Sequence, residues 1–159
     1  MAYDFNMDEV LEMAVQIERN GARFYRTAAE RISVSLNRSL LLELATMEEQ
    51  HEKTFASWRD RLSDEEKEPT VFDPEGAIPK YLKALADTRV FFEKDIDVTV
   101  MKGILKEAIT AEKDSIVFYV GMKELVPKKL GKDKIEAIIK EEMDHIRLLA
   151  DRLKELKSK

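Results

Sequence analysis

The pattern Glu-x-x-His occurs twice in this chain, at Glu48 to His51 and at Glu142 to His145, and it uses both histidines the chain has. Thirty residues ahead of each first glutamate stands another, Glu18 and Glu112. Residues three apart on a helix share a face. Glu48 with His51, and Glu142 with His145, can therefore each address one ion. Two such pairs and two single glutamates make up the ligand set with which a four-helix bundle holds two metal ions in its core. A single Glu-x-x-His would carry little weight, because a lone core histidine is more often simply hydrogen-bonded. The repetition at matched intervals carries the metal reading here.

The chemistry follows from charge. A glutamate facing a bundle core is costly unless it is paired or bound to metal. Four of them converging would repel one another, and two divalent cations would neutralise them while the imidazoles bind as neutral ligands. Glu48 and Glu142, each beside a histidine, are expected to bridge the two ions. Glu18 and Glu112 are expected to be terminal ligands, one per ion. Mixed oxygen and nitrogen donors suit two iron ions, or manganese, with zinc also open. A di-iron centre of this kind cycles between ferrous and ferric states with oxygen or peroxide.

Four helices must position these groups. The first is expected from Met7 or Asp8 to about Ile32, with Asp4 or Asn6 as its cap. Its stripe reads Val10, Leu11, Ala14, Ile17, Glu18, Ala22, Tyr25, Ala28, Ile32, at three- and four-residue steps. A polar break at Ser33 to Asn37 makes the second helix an antiparallel neighbour. That helix carries Leu41, Leu44, Glu48, His51, Phe55, Trp58 and Leu62. Residues 63 to about 98 are charged and then broken by Pro69, Pro74, Gly76 and Pro79. They are expected to cross the length of the bundle, with a short helix from Pro79 to Ala86. The third helix is expected from about Thr99 to Leu125, on Ile104, Leu105, Ala108, Ala111, Glu112, Ser115, Tyr119 and Met122. Pro127 and Gly131 mark a turn. The fourth helix follows on Ile135, Ile138, Ile139, Glu142, His145, Leu149, Leu153 and Leu156, and Lys154 to Lys159 form a solvated basic end.

A shift of 94 residues lays Glu18 on Glu112, Glu48 on Glu142, His51 on His145 and Phe24-Tyr25 on Phe118-Tyr119. An old duplication explains this, and similar packing demands on two helix hairpins are the alternative. Tyr25 and Tyr119 each follow a candidate glutamate by two turns. They are either hydrogen-bond donors to a ligand carboxylate or core aromatics with a satisfied hydroxyl. Phe55, Trp58 and Phe91-Phe92 read as packing. Glu141 and Asp144 read as solvated helix surface, with a hydrogen bond to a histidine as the lesser alternative.

Composition bounds the rest. At 159 residues the chain suffices for one domain with a real core. Apolar residues at 44%, charged residues at 37%, five Gly and four Pro favour long amphipathic helices over sheets. A net charge of −5 gives no reason to expect nucleic acid or an anionic membrane as partner. No cysteine is present, so disulfides, thiolate metal sites and cysteine nucleophiles are excluded. The N-terminus lacks the pattern of a signal peptide, and no apolar run approaches the ~20 residues of a membrane span. A soluble cytoplasmic protein is expected.

With Glu18, Glu48-x-x-His51, Glu112 and Glu142-x-x-His145 in this order, the chain resembles the ferritin-like superfamily, and within it the rubrerythrin-like di-iron proteins. The resemblance covers nearly the whole chain. The run from Tyr81 to Asp87 and the segment Ala111-Glu-Lys-Asp-Ser with Phe118-Tyr119 look like small stand-alone members of that group. It implies an all-α, antiparallel four-helix bundle, residues 1–159 as a single domain, with the long crossover between helices 2 and 3. It also implies oxidation-reduction chemistry, typically peroxide reduction with electrons from a rubredoxin-type donor. Two departures stand out. The rubredoxin domain of many relatives needs four cysteines, so the donor here would be a separate protein. Rubrerythrins also carry a further glutamate one turn after the third-helix ligand, where this chain has Ser115.

Three functions follow as expectations. The first is a di-iron oxidoreductase acting on hydrogen peroxide or oxygen, as a homodimer. The second is iron handling with a ferroxidase site of the bacterioferritin type. The 17 residues after Glu142 are too few to complete the fourth helix and add a fifth, which argues against it. The third is a non-catalytic bundle that keeps metal for stability.

Overall fold

The computed structural model describes residues 7–62, 80, 84, 100–124, 126 and 131–157. Four long helices carry the fold: α1 (Met7–Arg31), α2 (Ser35–Asp60), α3 (Met101–Lys123) and α4 (Lys132–Lys157). The described residues contain no strand, and no helix among them is long and apolar enough to cross a membrane. The fold is all-α, as the periodicity predicts. The proposed caps Asp4 and Asn6, Phe91-Phe92, Pro127 and most of the 63–98 segment lie outside the described residues, although Lys80 and Ala84 within it are helical.

Every residue of the α1 stripe from Val10 to Ala28 is buried. Asp8 and Glu9 in its first turn and Arg31 in its last complement the helix dipole. The break after it is shorter than expected, because α2 begins at Ser35 rather than beyond Asn37. Val34 is the extended residue that starts the helix, and its carbonyl accepts the Arg38 amide at 3.0 Å. Ser35 to Asn37 form the first turn, where backbone N–H groups lack helical partners and polar residues are well tolerated. Asn37 is buried, and its side-chain oxygen accepts from Arg152 of α4 at 2.7 Å.

Cross-helix contacts fix the directions. Asp8 with Arg59, Arg19 with Glu52, and Arg26 with Glu49 run in opposite order along α1 and α2. Tyr25 with Glu112 and Glu18 with Tyr119 do the same for α1 and α3. Asn37 with Arg152 and His51 with Glu141 do so for α2 and α4. Helices α2 and α3 therefore point the same way. The end of α2 and the start of α3 thus lie at opposite ends of a bundle in which a 26-residue helix spans roughly 40 Å at ~1.5 Å per residue.

Between α3 and α4, Gly131 takes φ 115°. Its carbonyl accepts the amides of Lys134 and Ile135, at 2.8 and 3.1 Å, opening α4. A Cβ there would lie 3.3 Å from the Trp58 ring. This turn thus needs glycine for both its backbone and its packing.

The core has two apolar halves. One gathers Val10, Leu11, Phe55, Trp58, Phe118, Met122, Ile135 and their neighbours. The other gathers Phe24, Ala28, Leu41, Leu44, Ile104, Leu105 and Leu149. On every helix, the candidate ligands fall between a stretch belonging to one half and a stretch belonging to the other. Phe55 and Trp58 are packing residues, as expected: their rings meet edge to face at 5.3 Å, and Phe55 also lies 5.3 Å from Tyr119.

Candidate metal centre

All six predicted ligands are buried, and the bundle brings them together. Glu18, Glu112, Glu48 and His51 are 1–4% exposed, and Glu142 and His145 are fully enclosed. Their donor atoms form two groups whose members lie within 4.8 Å of one another. One group holds Glu18, Glu48, His51 and Glu142, and the other holds Glu48, Glu112, Glu142 and His145. Glu48 and Glu142 belong to both, which is where bridging ligands would stand.

Each histidine turns Nδ1 inward. His51 Nδ1 lies 2.9 Å from Glu142, 3.4 Å from Glu18 and 3.7 Å from Glu48. His145 Nδ1 lies 3.3 Å from Glu142 and 3.5 Å from both Glu48 and Glu112. The two rings are stacked at 6.0 Å and 19°. Tyr25 donates to Glu112 at 2.6 Å, and Tyr119 donates to Glu18. Each tyrosine thus donates to the glutamate of the opposite hairpin.

The electrostatics show what this arrangement lacks without cations. Burial pushes the Glu48 carboxyl up to about 8, with the neighbouring Glu142 and Glu18 carboxylates adding to it. Burial, then Glu112, pushes Glu142 up to about 7. Burial likewise raises Glu18 and Glu112. Burial alone would lower His145, but Glu112, Glu142 and Glu48 outweigh it and push it up to about 12. His51 is raised in the same way by Glu142, Glu18 and Glu48. Burial, and then the adjacent carboxylates, lifts both tyrosine hydroxyls well above their usual range, so they stay protonated donors.

The fit to metal rests on the orphaned atoms. Glu18 Oε2, both Glu142 oxygens, His51 Nδ1, and Nδ1 and Nε2 of His145 are buried without a hydrogen-bond partner. Among the described residues these are the buried side-chain polar atoms in that state, and all belong to the candidate ligands. Buried polar groups are rarely left unsatisfied. Inward-facing carboxylate oxygens and imidazole nitrogens in one enclosed layer are the donors that divalent iron or manganese takes.

Ser115 is buried, and its hydroxyl donates to the Ala111 carbonyl at 3.0 Å on its own helix. Its oxygen is thereby engaged with the backbone, in keeping with the departure seen in the sequence. Glu141 takes the lesser of its two expected roles. Its side chain is half exposed, yet it meets Nε2 of His51. Asp144 behaves as predicted, exposed and 3.7 Å from Arg147.

The hydrogen bonds of the tyrosines make a direct prediction. Tyr25→Phe and Tyr119→Phe should each lower the unfolding free energy by about 1–3 kcal/mol, because a buried carboxylate oxygen loses its donor. Metal content should stay at the parent level. Urea unfolding of the metal-loaded variants, with metal analysis alongside, checks both parts.

A four-helix bundle of this topology with a buried layer of four glutamates and two histidines defines a ferritin-like di-metal carboxylate protein. The chain belongs to the rubrerythrin family, whose model matches residues 9–96. Among solved structures it is similar to a protein of Thermotoga maritima described as a ferritin-like diiron-carboxylate protein. The identity is 25%, over 98% of this chain and 99% of that one, with a TM-score of 0.70. No curated protein matches the chain.

Proposed function

We propose that this protein is a cytoplasmic di-iron oxidoreductase that reduces hydrogen peroxide or oxygen, working as a homodimer with electrons from a separate rubredoxin-type donor. The observation that supports it most is the enclosed double cluster of Glu18, Glu48, His51, Glu112, Glu142 and His145. Two iron ions held there would supply electrons by cycling between ferrous and ferric states. Peroxide reduction consumes two electrons and two protons and yields two waters. The chain's own residues set the conditions. The apolar layers on either side limit water. Tyr119 fixes one oxygen of Glu18 and leaves the second facing His51, while Tyr25 holds the Glu112 oxygen that also lies 3.5 Å from His145. Family membership and the similarity to a diiron-carboxylate protein favour iron over manganese or zinc.

Ser115 favours a second reading. With its hydroxyl on the Ala111 carbonyl, the centre has four carboxylates and lacks the further glutamate of rubrerythrins. That set is the symmetric one of a ferroxidase centre, so iron oxidation for storage is the alternative.

One experiment separates them. Iron-loaded protein is reduced without air, and then mixed with hydrogen peroxide or with oxygen while its visible spectrum is followed. Rapid reoxidation by peroxide, repeated on each addition of donor, is the expected result. No reaction over many minutes would sink the oxidoreductase. Light scattering adds the other arm: a large shell favours storage, and a dimer does not.

A further inference from the structure

The two histidines are held differently on their outer side. His51 presents Nε2 to the Glu141 carboxylate. His145 Nε2 is fully buried and has no hydrogen-bond partner among the described residues. The 94-residue offset that relates the two hairpins carries Glu141 onto position 47, and that residue is Met47. A thioether is a weak acceptor, so the half of the centre around His145 lacks the partner that the half around His51 has.

The difference bears on metal binding. A neutral imidazole that ligates through Nδ1 carries its proton on Nε2. A carboxylate accepting that proton fixes the tautomer, holds the ring in place and raises the basicity of the metal-facing nitrogen. A buried N–H without an acceptor gains none of these and is itself costly to keep. Both histidines turn Nδ1 to the carboxylates, so the comparison is between like ligands.

We propose that Glu141 is a positioning residue acting through His51, and that it makes the two metal positions unequal. The position served by Glu18 and His51 binds its ion more tightly than the one served by Glu112 and His145. The inference rests on the six-ligand centre proposed above, but not on its reaction.

Cobalt(II) tests it, because its visible bands report binding and its use avoids oxygen or peroxide chemistry. Metal-stripped protein is titrated and followed by absorption and calorimetry. Two steps separated by about 10-fold to 100-fold are expected, the range an outer carboxylate commands. Repulsion between two cations can also separate two steps, so the substitutions decide. Glu141→Met puts at 141 the residue found at 47. It should weaken the first step by about tenfold or more and leave the second in place. Glu141→Gln keeps an acceptor oxygen and should restore part of the loss, which a merely structural role would not predict. Met47→Glu should strengthen the second step. A first step that is unchanged in Glu141→Met overturns the proposal, as does a second step unmoved in Met47→Glu. Failure of cobalt to bind the unmodified protein overturns the centre itself, whereas slow peroxide chemistry in a protein that passes this test would leave the inference standing.

Discussion

Replacing Glu142 with alanine should empty both metal positions, whereas replacing Glu18 should empty one. The asymmetry follows from membership of the two donor groups. Glu142 and Glu48 lie in both, while Glu18 and Glu112 each lie in one. Removing Glu142 would take a donor from each of the two groups and deprive the centre of a buried carboxylate. It also deprives His51 of its nearest inward-facing carboxylate, at 2.9 Å. Removing Glu18 leaves Glu48, Glu112, Glu142 and His145 as an intact second group. Metal analysis of protein loaded with excess iron and then desalted gives the answer. The parent should hold two ions per chain, Glu18→Ala about one, and Glu142→Ala close to none, on the two-ion logic of the bundle site. Equal losses in the two variants would show that the bridging assignment is wrong. Unchanged content in both would remove the six-ligand site altogether.

Stripping the metal should destabilise the protein far more at pH 8 than at pH 5. The sign comes from the raised carboxyl groups. Burial and neighbouring carboxylates hold Glu48 at about 8 and Glu142 at about 7 in the cation-free fold, against an ordinary value of 4.5. A group raised on folding contributes stability that is fully present below its unfolded value. That contribution is lost as pH rises through the folded value. The stripped protein should therefore lose stability from about pH 4.5 to about pH 8 on account of these two groups. His145, raised to about 12, acts with the same sign and extends the loss to higher pH. Metal runs the other way, since the ions displace those protons and bind more tightly as pH rises. At free metal a thousandfold above Kd, each ion adds about 4 kcal/mol, or roughly 8–16 °C for a chain of this size. Melting curves of loaded and stripped protein at pH 5, 6, 7 and 8 measure the gap. A gap that stayed constant or narrowed would show that the buried groups do not exchange protons for metal.

Much of this centre was legible in the sequence. Glu18, Glu48, His51, Glu112, Glu142 and His145 stand on apolar stripes, and burial at those positions demands a partner. The helices were legible for the same reason, since three- and four-residue steps mark one face. Other features were not, because a stripe describes one helix at a time. Glu141 belongs to the exposed side of α4, so a bond to a histidine could only be the lesser alternative in the sequence, and the approach of α2 is what makes it a partner of His51. The spacing of Tyr25 and Tyr119 placed them near a carboxylate but could not say that each would cross to the other hairpin. The start of α2 was misplaced because polar residues at a first turn look like a loop when read by composition.

That neither hairpin owns a complete cluster bears on the order in which the protein is made. The α1–α2 hairpin supplies Glu18, Glu48 and His51, and the fourth member of that group, Glu142, is translated 94 residues after Glu48. Contacts this distant in sequence form late, after the entropy of closing the intervening chain has been overcome. The first hairpin therefore emerges with its carboxylates uncompensated and with little incentive to close around them. Arrival of α4 completes both groups together, so closing the bundle core and binding any ions there are expected to coincide late in folding. Premature loading of a half-made chain is disfavoured by its topology.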